Sequence, residues 1–249
     1  MAKEAYIITG ASKGIGFEWS RQLNAAGHVV IGIARTEPEN WPGGHFLPFD
    51  LTRLDAIEEI IAEALNLIPG ETETIVLVNN AGTIEPIGLA HTNDAAQVSQ
   101  SIVLNLTAPM LLCGAFIRQL KSNSAEKKIV NTSSGAGRKV YEGWSAYCAG
   151  KAGLDHFSSC LDTENDDVKV VSVAPGIIDT AMQQTIRQSE AADFPLIEKF
   201  LDYKESGLLS SPEETARQLM EMTRRPDFKE LPTILDIRNL PQPGKGSLN

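Results

Sequence analysis

The sequence predicts an α/β fold in which a parallel sheet is wound on both faces by helices. Three observations carry that prediction. Short β-branched runs alternate with helical stretches from one end of the chain to the other, as in successive βαβ units. Several runs, such as Tyr6-Ile7-Ile8 and Ile75-Val76-Leu77-Val78, are continuously apolar, the pattern of strands buried on both faces. The first run also passes directly into a glycine-rich turn that opens a helical pattern.

Taken in order, the strands are expected at residues 5–9, 28–33, 46–49, 74–78, 128–132, 169–173 and 233–237, giving a seven-stranded sheet. Helices are expected between them at residues 14–26, 53–67, 94–122, 144–163 and 212–224, and strands apolar on both faces require these on both sides of the sheet. Residues 180–211 show no strand pattern and only patchy helical periodicity, at the position where a doubly wound enzyme carries a lid over its ligand. The low-complexity end, residues 241–249, is expected to fray. With 249 residues, 42% of them hydrophobic, the chain (residues 1–249) is expected to form one domain around a large core.

Composition narrows the function. A net charge of −10 disfavours nucleic acid and anionic membranes, since like charge repels polyanions. No apolar run reaches the roughly 20 residues of a membrane span, and no signal peptide precedes the first strand pattern. The cysteines, Cys113, Cys148 and Cys160, share no CxxC spacing, so neither a disulfide scaffold nor a metal site is expected, and a reducing cytoplasm fits best.

The turn reads Thr9-Gly10-Ala11-Ser12-Lys13-Gly14-Ile15-Gly16. Gly10 permits the tight turn, Gly14 lets backbone approach a phosphate, and Gly16 lets the helix pack on the strand while its free N–H groups face the anion. This is a Rossmann-type site for a dinucleotide, although an ordinary glycine turn would look similar in isolation. The second strand ends Gly32-Ile33-Ala34-Arg35, without the acid that binds a ribose 2′-hydroxyl. Arg35 and Lys13 are suited instead to a 2′-phosphate, which points to NADP(H). Glu37, two residues further on, is either a solvated loop charge or the ribose ligand.

Tyr147 and Lys151 stand four apart in a helical stretch and so share one face. An adjacent ammonium is expected to lower the pKa of the phenol and suit it to proton transfer. The strand 128–132 runs on into Ser133-Ser134, at the carboxyl end of a parallel strand, where ligands bind and a hydroxyl can donate to a carbonyl oxygen. Ser133 is the alternative to Ser134.

Together, Thr9 to Gly16, Asn79-Asn80-Ala81-Gly82, Asn105, Ser134, Tyr147 with Lys151, and Pro175-Gly176 resemble the classical short-chain dehydrogenase/reductase family, in order and across residues 5–180. The thirteen-residue interval from Ser134 to Tyr147 is the common one in that family and favours Ser134. The resemblance implies a catalytic set of Asn105, Ser134, Tyr147 and Lys151, with Asn105 holding a water of a proton relay at a helix kink. It implies a cofactor site of Gly10, Ser12, Lys13, Gly14, Ile15, Gly16, Arg35, Asp50, Leu51, Asn79, Ala81, Gly82, Tyr147, Lys151, Pro175, Gly176, Ile178 and Thr180. In that site Asp50 meets the adenine, Asn79 and Ala81 border its ribose, and Ile178 and Thr180 bind the carboxamide and phosphate. Alone, each of these has a plainer reading: a capping Asp50, a turn at 79–82, a buried Asn105 satisfied by backbone.

The segments Gly143-Trp144-Ser145-Ala146-Tyr147-Cys148, residues 175–183, and the lid around Phe194 and residues 206–210 are similar to the benzil reductase and sepiapterin reductase branch. That likeness implies NADPH-dependent reduction of a small-molecule ketone or vicinal diketone by a homodimer or homotetramer. Ser134, Trp144, Tyr147 and Met182 would contact the substrate, with Trp144 stacking on an aromatic ring or serving only as packing. Two other classes remain in view. A non-catalytic NADP-binding sensor would usually lose the Tyr or the Lys, and a nucleotide-sugar epimerase would be longer, with different glycine spacing.

Overall fold

The computed structural model describes residues 4–240, so the tail expected to fray, residues 241–249, lies outside the described residues. Seven strands form, each within two residues of its expected ends: β1 (Glu4–Thr9), β2 (Val29–Ala34), β3 (His45–Pro48), β4 (Thr74–Asn79), β5 (Glu126–Thr132), β6 (Val168–Ala174) and β7 (Ile234–Asp236). They make one sheet in the order β3-β2-β1-β4-β5-β6-β7, and every neighbouring pair is parallel. Strand order reverses between β1 and β4, which opens a crevice beyond their carboxyl ends.

The helices are α1 (Gly14–Ala25), α2 (Ile57–Asn66), α3 (Ala95–Ile102), α4 (Ala108–Gln119), α5 (Ser145–Glu164), α6 (Ala181–Arg187), α7 (Ile197–Glu205) and α8 (Pro212–Thr223). The continuously apolar strands are explained by two cores. Ile7, Ile31, Leu77 and Ile129 pack with α2 and α4 on one face, while Tyr6, Ile8, Val76 and Val130 pack with Trp19 and Leu23 of α1 and Leu219 of α8 on the other. Successive side chains leave opposite faces of a strand, so both sets must be apolar.

Two departures from expectation concern the site. The helix expected over residues 94–122 is broken by a π-helical turn, Val103–Thr107, between α3 and α4. Pro109 lies just beyond and has no N–H to offer the carbonyl four residues earlier, that of Asn105, so the ladder resets there. The whole run, Ala95–Gln119, is long and apolar enough to cross a membrane by length and composition. In the fold its apolar residues Leu112, Cys113, Ala115 and Phe116 are fully buried in the sheet core. The second departure is the lid, where residues 180–211 contain α6 and α7, two helices that the sequence pattern left unassigned.

Candidate active site

The glycine turn is fixed by close backbone approach. Gly10 has a φ of +66°, and a Cβ there would lie 2.9 Å from the Ala81 Cα; a Cβ on Gly16 would come within 2.4 Å of the Gly10 carbonyl oxygen. Gly14 has a φ of +59°, and a Cβ there would touch the Thr180 Cγ2 at 3.5 Å, so the first residue of α1 lies beside the loop after β6. Lys13 at the N-cap makes no side-chain cap bond, and the first turn of α1 carries no acid. Uncapped N–H groups at a helix start with a glycine surface above them fit a pyrophosphate.

Thr9, read above only as the start of the glycine turn, closes it. Its hydroxyl donates to the Val78 carbonyl at 3.2 Å and accepts from the Asn80 and Ala81 amides at 3.0 and 3.1 Å, tying the ends of β1 and β4 together. Asn79 is turned inward. Its amide donates to Asn131 Oδ1 at 2.8 Å, and Asn131 in turn donates to Ser158 at 2.8 Å, so the side chain braces β4, β5 and α5. Ala81 lies against the turn, and Gly82 beside Asn105 and Lys151.

At the rim, Lys13 and Arg35 are exposed. Asp50 accepts from the Thr52 amide and hydroxyl at 3.0 and 2.9 Å, the plain capping geometry, and Leu51 beside it is buried. The Thr52 amide bond holds the Asp50 carboxyl below its usual range, helped by the charge of Arg35 nearby.

The proposed catalytic side chains converge at the carboxyl edge of β5. Lys151 donates from Nζ to the Thr132 carbonyl at 2.8 Å and lies 5.8 Å from the Tyr147 ring centre. Ser134 leads a short turn, Gly135–Gly137, its hydroxyl accepting from the Ala136 amide at 3.1 Å. Ser133, the alternative, is buried with its hydroxyl unpartnered. Asn105 is fully buried in the π-helical turn, its amide exchanging bonds of 3.1 and 2.8 Å with the Thr83 backbone. A Cβ on Gly82 would sit 2.8 Å from Asn105 Oδ1 and 3.5 Å from Lys151 Nζ, which brings those two groups to a common neighbour.

One electrostatic expectation is corrected. Burial pushes the Tyr147 hydroxyl up to about 12, with a hydrogen bond to Ser134 acting in the opposite sense. Burial pulls Lys151 down to about 8, and Asp155 pulls it back upward. In the chain alone, Tyr147 is therefore a protonated donor at neutral pH, and Lys151 keeps its charge there.

The lid adds an aromatic cluster. Trp144 stacks on Phe194 at 4.7 Å and 17°, meets Phe200 edge-on at 5.1 Å, and touches the edge of Tyr147 at 5.8 Å. It is 4% exposed, so in this state the aromatic partner expected of a substrate is Phe194. Gly143 makes that seating possible, since a Cβ there would come within 2.6 Å of the Asp193 carbonyl and 2.9 Å of the Phe194 ring. Met182, on α6, packs against the same cluster. Beyond β6, Pro175, Gly176, Ile178 and Thr180 lead into the lid; Ile178 bridges to Ser210, and Asp179 pairs with Arg187 and Lys204 to hold α6 and α7 together.

This sheet, turn and cluster define a class: the chain belongs to the short chain dehydrogenase family, whose model matches residues 4–191. The family consists of oxidoreductases that work with nicotinamide cofactors. Among its relatives, the chain is 38% identical over 228 residues to a benzil reductase ((S)-benzoin forming) of Bacillus subtilis (strain 168), covering 89% of this chain and 94% of that one. It is 27% identical over 242 residues to a sepiapterin reductase of Xenopus laevis, covering 90% and 91%. A solved short-chain dehydrogenase/reductase from Saccharomyces cerevisiae superposes with a TM-score of 0.83 at 27% identity, covering 96% and 97%.

Proposed function

We propose that this chain is an NADPH-dependent carbonyl reductase whose preferred substrates are aromatic vicinal diketones, one carbonyl of which becomes a hydroxyl. The observation that carries this reading is the convergence of Ser134, Tyr147 and buried Lys151 beside a glycine turn built for an anion. When bound, the nicotinamide supplies the hydride. Backbone of Gly10, Ser12, Gly14, Ile15 and Gly16 holds the pyrophosphate, while Lys13 and Arg35 meet the 2′-phosphate. Asp50 and Leu51 border the adenine, Asn79, Ala81 and Gly82 its ribose, and Pro175, Gly176, Ile178 and Thr180 the carboxamide end.

Ser134 donates a hydrogen bond to the substrate oxygen, and Tyr147 gives that oxygen its proton. A phenol held at about 12 remains protonated across the neutral range, which suits the reductive direction. Lys151 holds the nicotinamide ribose and stabilises the phenolate left behind, and Asn105 orients the water that reprotonates it. Met182 and the lid enclose the substrate, with Trp144 reaching it when Phe194 gives way.

Support for a diketone comes from chemistry and from likeness. A neighbouring carbonyl makes the reacting carbon more electrophilic, and the similarity to the benzil reductase spans most of both chains. We assign the chain to the cytoplasm as a single domain in a homodimer or homotetramer. Steady-state rates with NADPH and benzil, sepiapterin, diacetyl or cyclohexanone test the reading. A kcat/KM for benzil well above that for cyclohexanone is expected, and equal values would leave only a general ketone reductase.

A further inference from the structure

Four residues beyond Ser134 stands Arg138, and four beyond Lys151 stands Asp155. The fold joins them. Arg138 donates from Nε to Asp155 Oδ2 at 2.9 Å and from Nη1 to the Leu235 carbonyl at 3.1 Å. Asp155 Oδ1 accepts from the Ser172 hydroxyl at 2.6 Å. The Asp155 side chain is 7% exposed and that of Arg138 29%. One ion pair therefore links the serine loop, helix α5, β6 and β7.

The loop lies on the helix at close quarters. A Cβ on Gly137 would come within 2.9 Å of the Lys151 carbonyl group and 3.1 Å of the Ala152 amide, so the backbone between Ser134 and Arg138 rests directly on the turn that carries Lys151. On the other side of that turn, Lys151 reaches back to the Thr132 carbonyl at 2.8 Å. Ser134 and Tyr147 thus sit on separate segments, a loop and a helix, and the distance between their hydroxyls depends on how the segments are clamped.

We infer that Asp155 and Arg138 are positioning residues, which lock the Ser134 loop onto helix α5 so that Ser134 and Tyr147 address the same substrate oxygen. The assignment rests on the reductase reading given above. Surface ion pairs contribute little, but in this one the acid is buried while the arginine reaches solvent, so removing the arginine leaves a buried carboxylate with only the Ser172 hydroxyl as partner. The acid also acts on the site electrically. Asp155 is one turn from Lys151 and opposes the loss of charge that burial imposes on it; Arg138 pairs with that acid, and Tyr147 faces the lysine from the same helix.

The experiment compares wild type, Asp155→Asn and Arg138→Lys as folded NADPH complexes. Asp155→Asn keeps the shape and loses the charge; Arg138→Lys keeps the charge and loses the planar fork. Because small displacements of reacting groups cost rate steeply, kcat is expected to fall about tenfold or more in each, while NADPH affinity changes far less. A second readout does not need turnover: the titration of Lys151 in the cofactor-free protein, followed by NMR of labelled lysine and assigned with Lys151→Met, is expected to move downward in Asp155→Asn. Unchanged kcat in both variants, or a loss of kcat matched by an equal loss of folded protein, overturns the inference. A Lys151 titration that stays in place in folded Asp155→Asn also overturns it. A wild-type enzyme inactive on every carbonyl tested, with the lysine shift present, would instead overturn the reductase reading.

Discussion

The glycine turn and the lid border the same crevice but are built on different principles. The turn is a backbone object. Its shape follows from positive φ at Gly10 and Gly14 and from the absence of a Cβ at Gly16, and its charge comes from amides that no side chain caps. The lid is a side-chain object, in which α6 and α7 are held down by Phe194 and Phe200 against Trp144 and by the pairing of Asp179 with Arg187 and Lys204. A backbone site recognises what every family member binds, and a side-chain site can be refitted to each substrate. Tyr147 stands at the seam, with Lys151 on one side and the edge of Trp144 on the other.

The sharpest way to test that seam is Tyr147→Phe. The substitution removes the proposed proton donor and little else, so turnover is expected to fall about a hundredfold or more, with NADPH affinity nearly unchanged and the thermal transition preserved. Retention of more than about a tenth of the activity would mean the proton comes from another group.

The turn is tested on its rim. Arg35→Ala removes the charge proposed to meet the 2′-phosphate, a contact of about 1.5 to 3 kcal/mol, so NADPH affinity should drop about tenfold or more while NADH affinity barely moves. Titration calorimetry with both cofactors checks this, and equal losses would show that Arg35 does not read the 2′-phosphate.

The lid is tested by Phe194→Leu, which keeps an apolar side chain but gives up ring stacking on Trp144, a term of about 0.5 to 1.5 kcal/mol. The expected result is a changed KM for aromatic diketones, with NADPH affinity left as it was. An equal change in cofactor affinity would erase the distinction between the two regions.

How much of this was legible in the sequence follows the same division. All seven strands and the glycine turn could be read, because hydrophobic period and glycine spacing are local signals. The pairing of Tyr147 with Lys151 was legible from helical spacing, but the state of the phenol was not. Spacing tells which groups are neighbours, whereas the high pKa of Tyr147 comes from burial under residues distant in the chain. The π-helical turn at Asn105 was hidden within an apolar run, although Pro109 was its local signal. The lid helices were missed because they are short and held by rings and ion pairs, and the partners of Phe194 lie about fifty residues earlier, at Gly143 and Trp144. Arg138 and Asp155 gave no sign in sequence, since an ion pair between a loop and a helix has no period.

The most direct test of the account is the stoichiometry of the reaction itself. Wild-type protein is incubated with NADPH and benzil, and cofactor oxidation and hydroxyketone formation are measured together. The account predicts one molecule of hydroxyketone for each NADPH consumed, and no consumption when the diketone is left out. Cofactor oxidation without hydroxyketone, or no reaction with benzil under conditions where a simple aliphatic ketone is reduced, would contradict it.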